Sequence, residues 1–153
     1  MLFLLVYCIE ICYTIAMRIL GVDYGDSRIG LSVCDELGIL ASPLATIKSE
    51  SMRKNVDKIT AIAKEQNAET IVLGLPLNMD GTEGIRASKS RAFARVLEKV
   101  SGLSVILVDE RLTTVEADEI MDANNVPKQK RKEIVDRIAA QLILQSYLDT
   151  NKK

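Results

Sequence analysis

The feature that constrains the fold most is a change of hydrophobic period near residue 50. Before it lie three short segments separated by turns that contain glycine and aspartate: 18–23 is an apolar run that ends in an acid, 29–34 alternates between apolar and other residues, and 39–47 can supply a third strand. Alternation with a period of two is typical of strands with one buried face, and short turns join such strands into antiparallel meanders. After it, apolar positions from Met52 to Ala63 repeat at helical spacing,. The sequence therefore predicts three consecutive strands followed by a helix.

The second half of the chain alternates between helices and strands. The runs 70–73 and 104–108 are short and continuously apolar, as expected of buried strands,. A helix is predicted between them, and another follows Pro127 from about Glu133 to Leu148,. Strands reached through helices are parallel, and Pro43 places the third strand at a sheet edge because proline lacks a ladder donor. The 153 residues suffice for one α/β domain, predicted to have a mixed five-stranded sheet flanked by helices on both faces,.

The segment Met1–Ala16 is apolar except for Glu10. A transmembrane helix takes ~20 apolar residues, and a secretory signal begins with positive charge, yet no lysine or arginine precedes Arg18,. We therefore favour translation from Met17, with residues 1–16 as an apolar extension whose presence in the cell is open and residues 17–150 as the domain. No stable membrane association is expected. The three cysteines form no Cys-x-x-Cys pair, which fits a reducing cytoplasm,.

The chain contains no histidine, and this narrows the chemistry open to it. Ser-His and Cys-His nucleophile pairs and imidazole zinc sites are excluded, so carboxylates become the main candidates. Asp23 ends the first predicted strand, and Asp109 and Glu110 end the fifth. Sites in open α/β sheets lie beyond the carboxyl ends of parallel strands. If the fourth strand joins the first to the fifth, these acids lie within ~10 Å of each other.

A further acid lies on the last predicted helix. Asp136 shares a helical face with Ala140 and Ile143, which directs its carboxylate toward the sheet,. A buried carboxylate needs a base, a proton or a cation, and a divalent ion held by several acids meets that need. Oxygen ligands without histidine or thiolate favour Mg²⁺ or Mn²⁺. Two such ions can activate water and stabilise the leaving oxygen of a phosphodiester without a side-chain nucleophile. The predicted metal ligands of this nuclease site are Asp23, Asp109, Glu110 and Asp136.

Each of these acids also has an ordinary structural explanation. Asp23 could cap a turn, the pair Asp109–Glu110 could bind Arg111, and Asp136 could bind Arg137. Structural ion pairs are common, so any one acid taken alone favours that explanation. Their joint placement at strand ends and on an apolar helix face favours a site.

Residues beside the acids supply candidates for substrate contact. The loop 74–81 offers backbone amides, an amide side chain and glycine to a phosphate or a base, or is simply a connection,. Arg111 either clamps a phosphate or neutralises Asp109. The formal net charge is −1, so a polyanion would be held by local patches such as the bases within 86–95 and 128–132, although charge runs are usually solvated surface,. The candidate substrate-binding residues are Tyr24, Gly25, Arg28, Asn78, Gly81 and Arg111.

Four segments, taken in order, resemble the YqgF/RuvX family of bacterial Holliday junction resolvases and pre-16S ribosomal RNA nucleases. They are GVDYGDSRIGLSV, LGLPLNMDG, VDERLTTVEA and VDRIAAQLILQSYL, and the resemblance extends from Met17 to about Leu148. It implies a ribonuclease H-like fold, a cytoplasmic location, maturation of the 5′ end of 16S ribosomal RNA, and catalytic metal ligands at Asp23, Glu110 and Asp136. The family pattern does not contain Met1–Ala16.

Other functions stay open at this point. Within the family, a precursor ribosomal RNA and a Holliday junction require the same chemistry. The segment 23–30 also resembles the first phosphate loop of actin-like kinases, although those proteins close two such domains over a nucleotide and this chain supplies one. A noncatalytic nucleic-acid-binding module would keep the fold without needing acids at all three positions.

Overall fold

The computed structural model describes residues 18–111 and 119–151, without the side chains of Glu133 and Asp136. Its strands are β1 (Arg18–Tyr24), β2 (Arg28–Cys34), β3 (Ala41–Lys48), β4 (Ala68–Leu75) and β5 (Ser104–Asp109). Its helices are α1 (Met52–Glu65), α2 (Ile85–Ser101) and α3 (Lys128–Thr150), and residues 119–123 are also helical. The change from strands to helices after the third strand is as predicted.

The five strands form one sheet in the order β3-β2-β1-β4-β5. The first three strands pair antiparallel, whereas β4 is parallel to both β1 and β5. Pro43 lies on β3 at the sheet edge, where it pairs with Ser32 next to a register shift. The predicted mixed five-stranded sheet is confirmed, together with its proline-containing edge strand and the position of the fourth strand between the first and the fifth.

One face of the sheet packs against α1 and α2. Val22 of β1 and Leu73 of β4 are fully buried in this layer. The Ser51 hydroxyl caps the start of α1 by accepting a hydrogen bond from the Lys54 backbone N–H at 3.4 Å,. Gly102 ends α2 with a φ of 71°, a left-handed conformation that glycine adopts without strain,.

The opposite face of the sheet packs against α3. Ile143 and Leu144 are buried there, so helices cover both faces, as predicted. A Cβ atom on Gly21 would lie 2.2 Å from Ser32 Oγ and 3.1 Å from the carbonyl oxygen of Ala140. The glycine thus allows α3 to approach β1 closely, and the Ser32 hydroxyl donates a hydrogen bond to the Ala140 carbonyl at 2.7 Å. This bond fixes α3 over the middle of the sheet.

The prediction for the start of the last helix was wrong. The helix α3 begins at Lys128 and not near Glu133, with Pro127 at its N-terminal boundary, where proline needs no backbone donor,. The bases within 128–132 therefore belong to its first turns, where Arg131 forms an ion pair with Asp122 at 2.7 Å. Within residues 18–111 and 119–151, none of the helices is both long enough and apolar enough to cross a membrane.

Candidate active site

Asp23 and Glu110 lie on either side of Gly74, at the carboxyl ends of the parallel strands. Val22 of β1 pairs with Leu73 of β4, so this register, continued by one residue, places Asp23 beside Gly74. Gly74 also pairs with β5, at the position two residues before Glu110. Side chains alternate along a strand, and Val22 faces α1 and α2, so Asp23 faces α3,. The structure thus brings these two acids, predicted from separate strands, to one place.

The carboxylate of Glu110 occupies the space that Gly74 leaves by having no side chain. A Cβ atom on Gly74 would lie 2.2 Å from Glu110 Oε1 and 2.7 Å from Ile143 Cδ1 of α3. Contacts of a Cβ atom shorter than 3.0 Å are essentially never found in proteins. The backbone N–H of Glu110 also donates to the Leu75 carbonyl at 3.2 Å. The end of β4 therefore positions both the backbone and the side chain of Glu110.

The surroundings of Glu110 oppose its ionisation. Burial, followed by the negative charge of Asp23, raises the pKa of Glu110 from its ordinary value of 4.5 to about 7. Arg86, near the start of α2, opposes this rise, and Asp109 adds to it. A bound cation would offset the negative charge of Asp23, the second of these causes, and would thereby lower the pKa of Glu110.

Asp109 is directed away from this pair. It ends β5 with its side chain exposed, and both carboxylate oxygens accept hydrogen bonds from the Arg111 guanidinium, at 2.6–3.1 Å. These hydrogen bonds lower the pKa of the Asp109 carboxyl. Of the two adjacent acids, Glu110 is thus the one that faces Asp23, as alternation along an extended chain requires.

Asp136, the remaining predicted ligand, belongs to α3, but its side chain lies outside the described part of the structure. Its backbone position is one helical turn before Ala140, the residue whose carbonyl accepts the Ser32 hydrogen bond,. The contribution of Asp136 to the site therefore stays a prediction.

The described acids fit part of a metal site. Within residues 18–111 and 119–151, no group of three or more histidine, cysteine, aspartate or glutamate side chains is placed to hold a metal ion. Asp23 and Glu110 nevertheless supply hard oxygen donors, which suit Mg²⁺ or Mn²⁺. The negative charge of Asp23 is, after burial, the second cause of the raised pKa of Glu110, and a divalent cation would offset that charge. Asp136, whose side chain the structure does not describe, stays the predicted third ligand.

The loop between β4 and α2 is braced internally. The Asn78 side chain donates to Thr82 Oγ1 at 2.9 Å, and Asp80 Oδ1 accepts from the same hydroxyl at 2.6 Å. Gly81 has a φ of 85°. It lies next to Arg111, since a Cβ atom built on Gly81 would be 3.5 Å from Arg111 Nη1. The predicted substrate residues Asn78, Gly81 and Arg111 are therefore neighbours beside Asp109, and their contacts with substrate stay a prediction.

The other three predicted substrate residues surround the turn between β1 and β2. The Tyr24 ring stacks on Phe93 of α2, with 4.1 Å between ring centroids, so one face of the ring is covered. The Gly25 backbone N–H donates to the Arg28 carbonyl at 3.0 Å, and a Cβ atom on Gly25 would lie 2.5 Å from that oxygen. Gly25 is thus required by the turn itself, and Arg28 lies on β2 facing a groove beside α3.

Two residues of the site were not singled out from the sequence. Gly74, predicted to begin a loop, lies within β4 and receives the Glu110 carboxylate. A glycine inside an apolar strand often marks the close approach of another group, and this signal could have found it. In the sequence, Arg86 is one of several bases within 86–95. Its lowering of the Glu110 pKa depends on where α2 begins.

The sequence of residues 17–150 matches the model of the RuvX family, which is described as Holliday junction resolvase. The chain belongs to the RuvX family. A relative from Syntrophus aciditrophicus is 53% identical over 133 residues, covering 87% of this chain and 89% of the relative. Another from Endomicrobium trichonymphae is 49% identical over 133 residues, covering 86% and 95%. Both carry the name "Putative pre-16S rRNA nuclease". The family resemblance found in the sequence is confirmed.

Solved structures of resolvases share the fold of this RuvX chain. The Thermus thermophilus RuvC in complex with a Holliday junction substrate superposes with a TM-score of 0.53 at 13% identity, covering 89% of this chain and 98% of that one. The fowlpox virus resolvase, in a complex with Holliday junction DNA, also gives a TM-score of 0.53, at 18% identity, covering 90% and 100%. RuvC-like resolvases have a ribonuclease H-like fold, so the predicted fold is confirmed.

Proposed function

We propose that this protein is a divalent-metal-dependent nuclease that hydrolyses phosphodiester bonds at the carboxyl ends of β1 and β5. The single observation that carries the proposal is the placement of Asp23 and Glu110 on either side of Gly74, with the Glu110 carboxylate over the glycine. Family membership supports a nuclease over an actin-like phosphotransferase. The absence of histidine from the chain leaves carboxylates as the groups that could organise the reaction,.

The proposed ligands are Asp23, Glu110 and Asp136. We leave Asp109 out of this set because Arg111 engages both of its oxygens. A bound Mg²⁺ or Mn²⁺ would neutralise charge on the phosphodiester and make an attacking water more acidic. The chain itself would supply the geometry, because the Glu110 carboxylate lies over Gly74 of β4, where Ile143 of α3 also approaches.

The substrate that we propose is the precursor of 16S ribosomal RNA, cleaved near its 5′ end in the cytoplasm. The support comes from relatives named for this RNA, which are 40–53% identical to the chain over most of its length. A four-way DNA junction is the second candidate, because the matching family model is described as a Holliday junction resolvase. Both substrates present phosphodiesters, so the two candidates share one site.

The test is a cleavage assay on both substrates. Protein beginning at Met17 is incubated with precursor 16S ribosomal RNA or with a four-way DNA junction, in Mg²⁺, in Mn²⁺ or in EDTA. We expect metal-dependent cleavage of the RNA by the parent protein, and none by Asp23→Asn, which should still bind the RNA. Preferred cleavage of the junction would select the second candidate. Equal cleavage by Asp23→Asn and the parent would refute the metal mechanism.

A further inference from the structure

We propose that a basic groove beside α3 binds a phosphate of the polynucleotide backbone away from the bond that is cleaved. The groove has a volume of about 530 Å³ and is lined by Ser27, Arg28, Thr46, Ile47, Lys48 and Arg137. The inference rests on the proposed nuclease function, since it assigns to the same substrate a second contact.

The groove lies on the same face of the sheet as Asp23. Thr46 of β3 pairs with Gly30 of β2, and Gly30 pairs with Asp23 of β1. Paired residues in neighbouring strands point to the same face, so Thr46 is two strands from Asp23. Two strand spacings amount to ~10 Å, or about three nucleotides of a stacked strand at ~3.4 Å each. A strand bound at the acids could therefore reach the groove without bending away from the sheet.

The groove concentrates positive charge. Arg28 and Lys48 are direct partners in the antiparallel register of β2 and β3. Arg137 of α3 brings a third base from the other side. In the part of the chain that the structure describes, the lining of the groove includes no acidic side chain.

Hydroxyl groups complete the lining. Thr46 lines the groove, and its buried Oγ1 has no hydrogen-bond partner among the described residues. Ser27 lies in the turn that precedes β2 and adds a second hydroxyl at the edge. Bases combined with hydroxyls are typical of contacts to nucleic-acid phosphates, which carry no sequence information.

The experiment compares two double variants in the cleavage-deficient Asp23→Asn background. Lys48→Ala with Arg137→Ala removes two bases from the groove. Lys64→Ala with Lys99→Ala removes two exposed bases from α1 and α2, on the opposite face of the sheet, and is the matched control. The probes are fluorescein-labelled single-stranded RNA and DNA of one sequence, about 20 nucleotides long, with binding measured by anisotropy in Mg²⁺ over a range of salt concentrations.

We expect the groove variant to bind both probes more weakly, by about tenfold at ~0.1 M salt, while the control stays within about twofold of the parent. Loss of the contact with one phosphate should reduce the slope of log K against log salt by about 0.7. Lys48→Arg, which keeps the charge, should retain most of the affinity. Parent-like binding and salt dependence in the groove variant would overturn the inference, and so would a loss confined to RNA.

The outcome is separable from that of the proposed function. If the parent cleaves neither substrate while the groove variant still loses affinity and salt dependence, the nuclease proposal fails and the groove assignment stands. If the parent cleaves in Mg²⁺ and the groove variant binds like the control, the groove assignment fails and the nuclease proposal stands.

Discussion

Replacement of Gly74 by alanine tests whether catalysis requires the absence of a side chain at position 74, where the Glu110 carboxylate lies. The added Cβ atom would lie 2.2 Å from Glu110 Oε1 and 2.7 Å from Ile143 Cδ1. Relief to an ordinary contact of about 3.4 Å requires the carboxylate to move by about 1 Å. A displacement of this size in a catalytic group can cost about 100-fold in rate. Overpacking against α3 should also destabilise the fold by about 1–3 kcal/mol.

The assay is metal-dependent cleavage of precursor 16S ribosomal RNA under single-turnover conditions, together with urea unfolding. The matched control is Gly21→Ala, whose Cβ atom would crowd Ser32 and Leu144 under the same helix without contacting Glu110. We expect both variants to lose stability, and Gly74→Ala alone to lose about 100-fold in rate at a temperature where both are folded. Equal rates in the two folded variants would contradict the role of Gly74 in positioning Glu110.

Two further predictions concern the metal and the proton. Mg²⁺ should raise the melting temperature of the parent, measured by differential scanning fluorimetry, because a ligand that binds only the folded state stabilises it. This rise should be lost in Glu110→Gln. An equal rise in both proteins would contradict the prediction. In EDTA, the folded state binds more protons than the unfolded chain between pH 4.5 and about 7, because the pKa of Glu110 is raised to about 7. The stability of the parent relative to Glu110→Gln should therefore fall as pH rises through this window, by up to about 3 kcal/mol. A difference in urea unfolding free energy that does not vary between about pH 4 and pH 8 would contradict the raised pKa of Glu110.

Much of the fold could be predicted from the sequence because each element carries its own periodic signal. The order of strands and helices followed from the hydrophobic period, and Pro43 indicated the edge strand correctly. The start of α3 could not be predicted in this way. Its first turns, from Lys128, are rich in charge and show no apolar period. Only the later turns pack on the sheet and carry the apolar spacing that predicts a helix.

The site could be predicted in part for a similar reason. Acids that end strands are visible in the sequence, and the topology determines that Asp23 and Glu110 meet. The roles of Gly74 and of the basic groove depend on which residues face each other across strands. The register shift between Leu31 and Ser32 alters that pairing along β3, so the opposition of Arg28 and Lys48 could not be counted from the turn,.

The most direct test of the central claim is the cleavage rate of two adjacent variants, Asp109→Asn and Glu110→Gln, on precursor 16S ribosomal RNA in Mg²⁺. We expect Glu110→Gln to lose about 100-fold or more in rate, since it removes a proposed ligand beside Asp23. Asp109→Asn should stay within about tenfold of the parent, because it removes only the pairing with Arg111,. A large loss in Asp109→Asn with near-parent activity in Glu110→Gln would contradict the account.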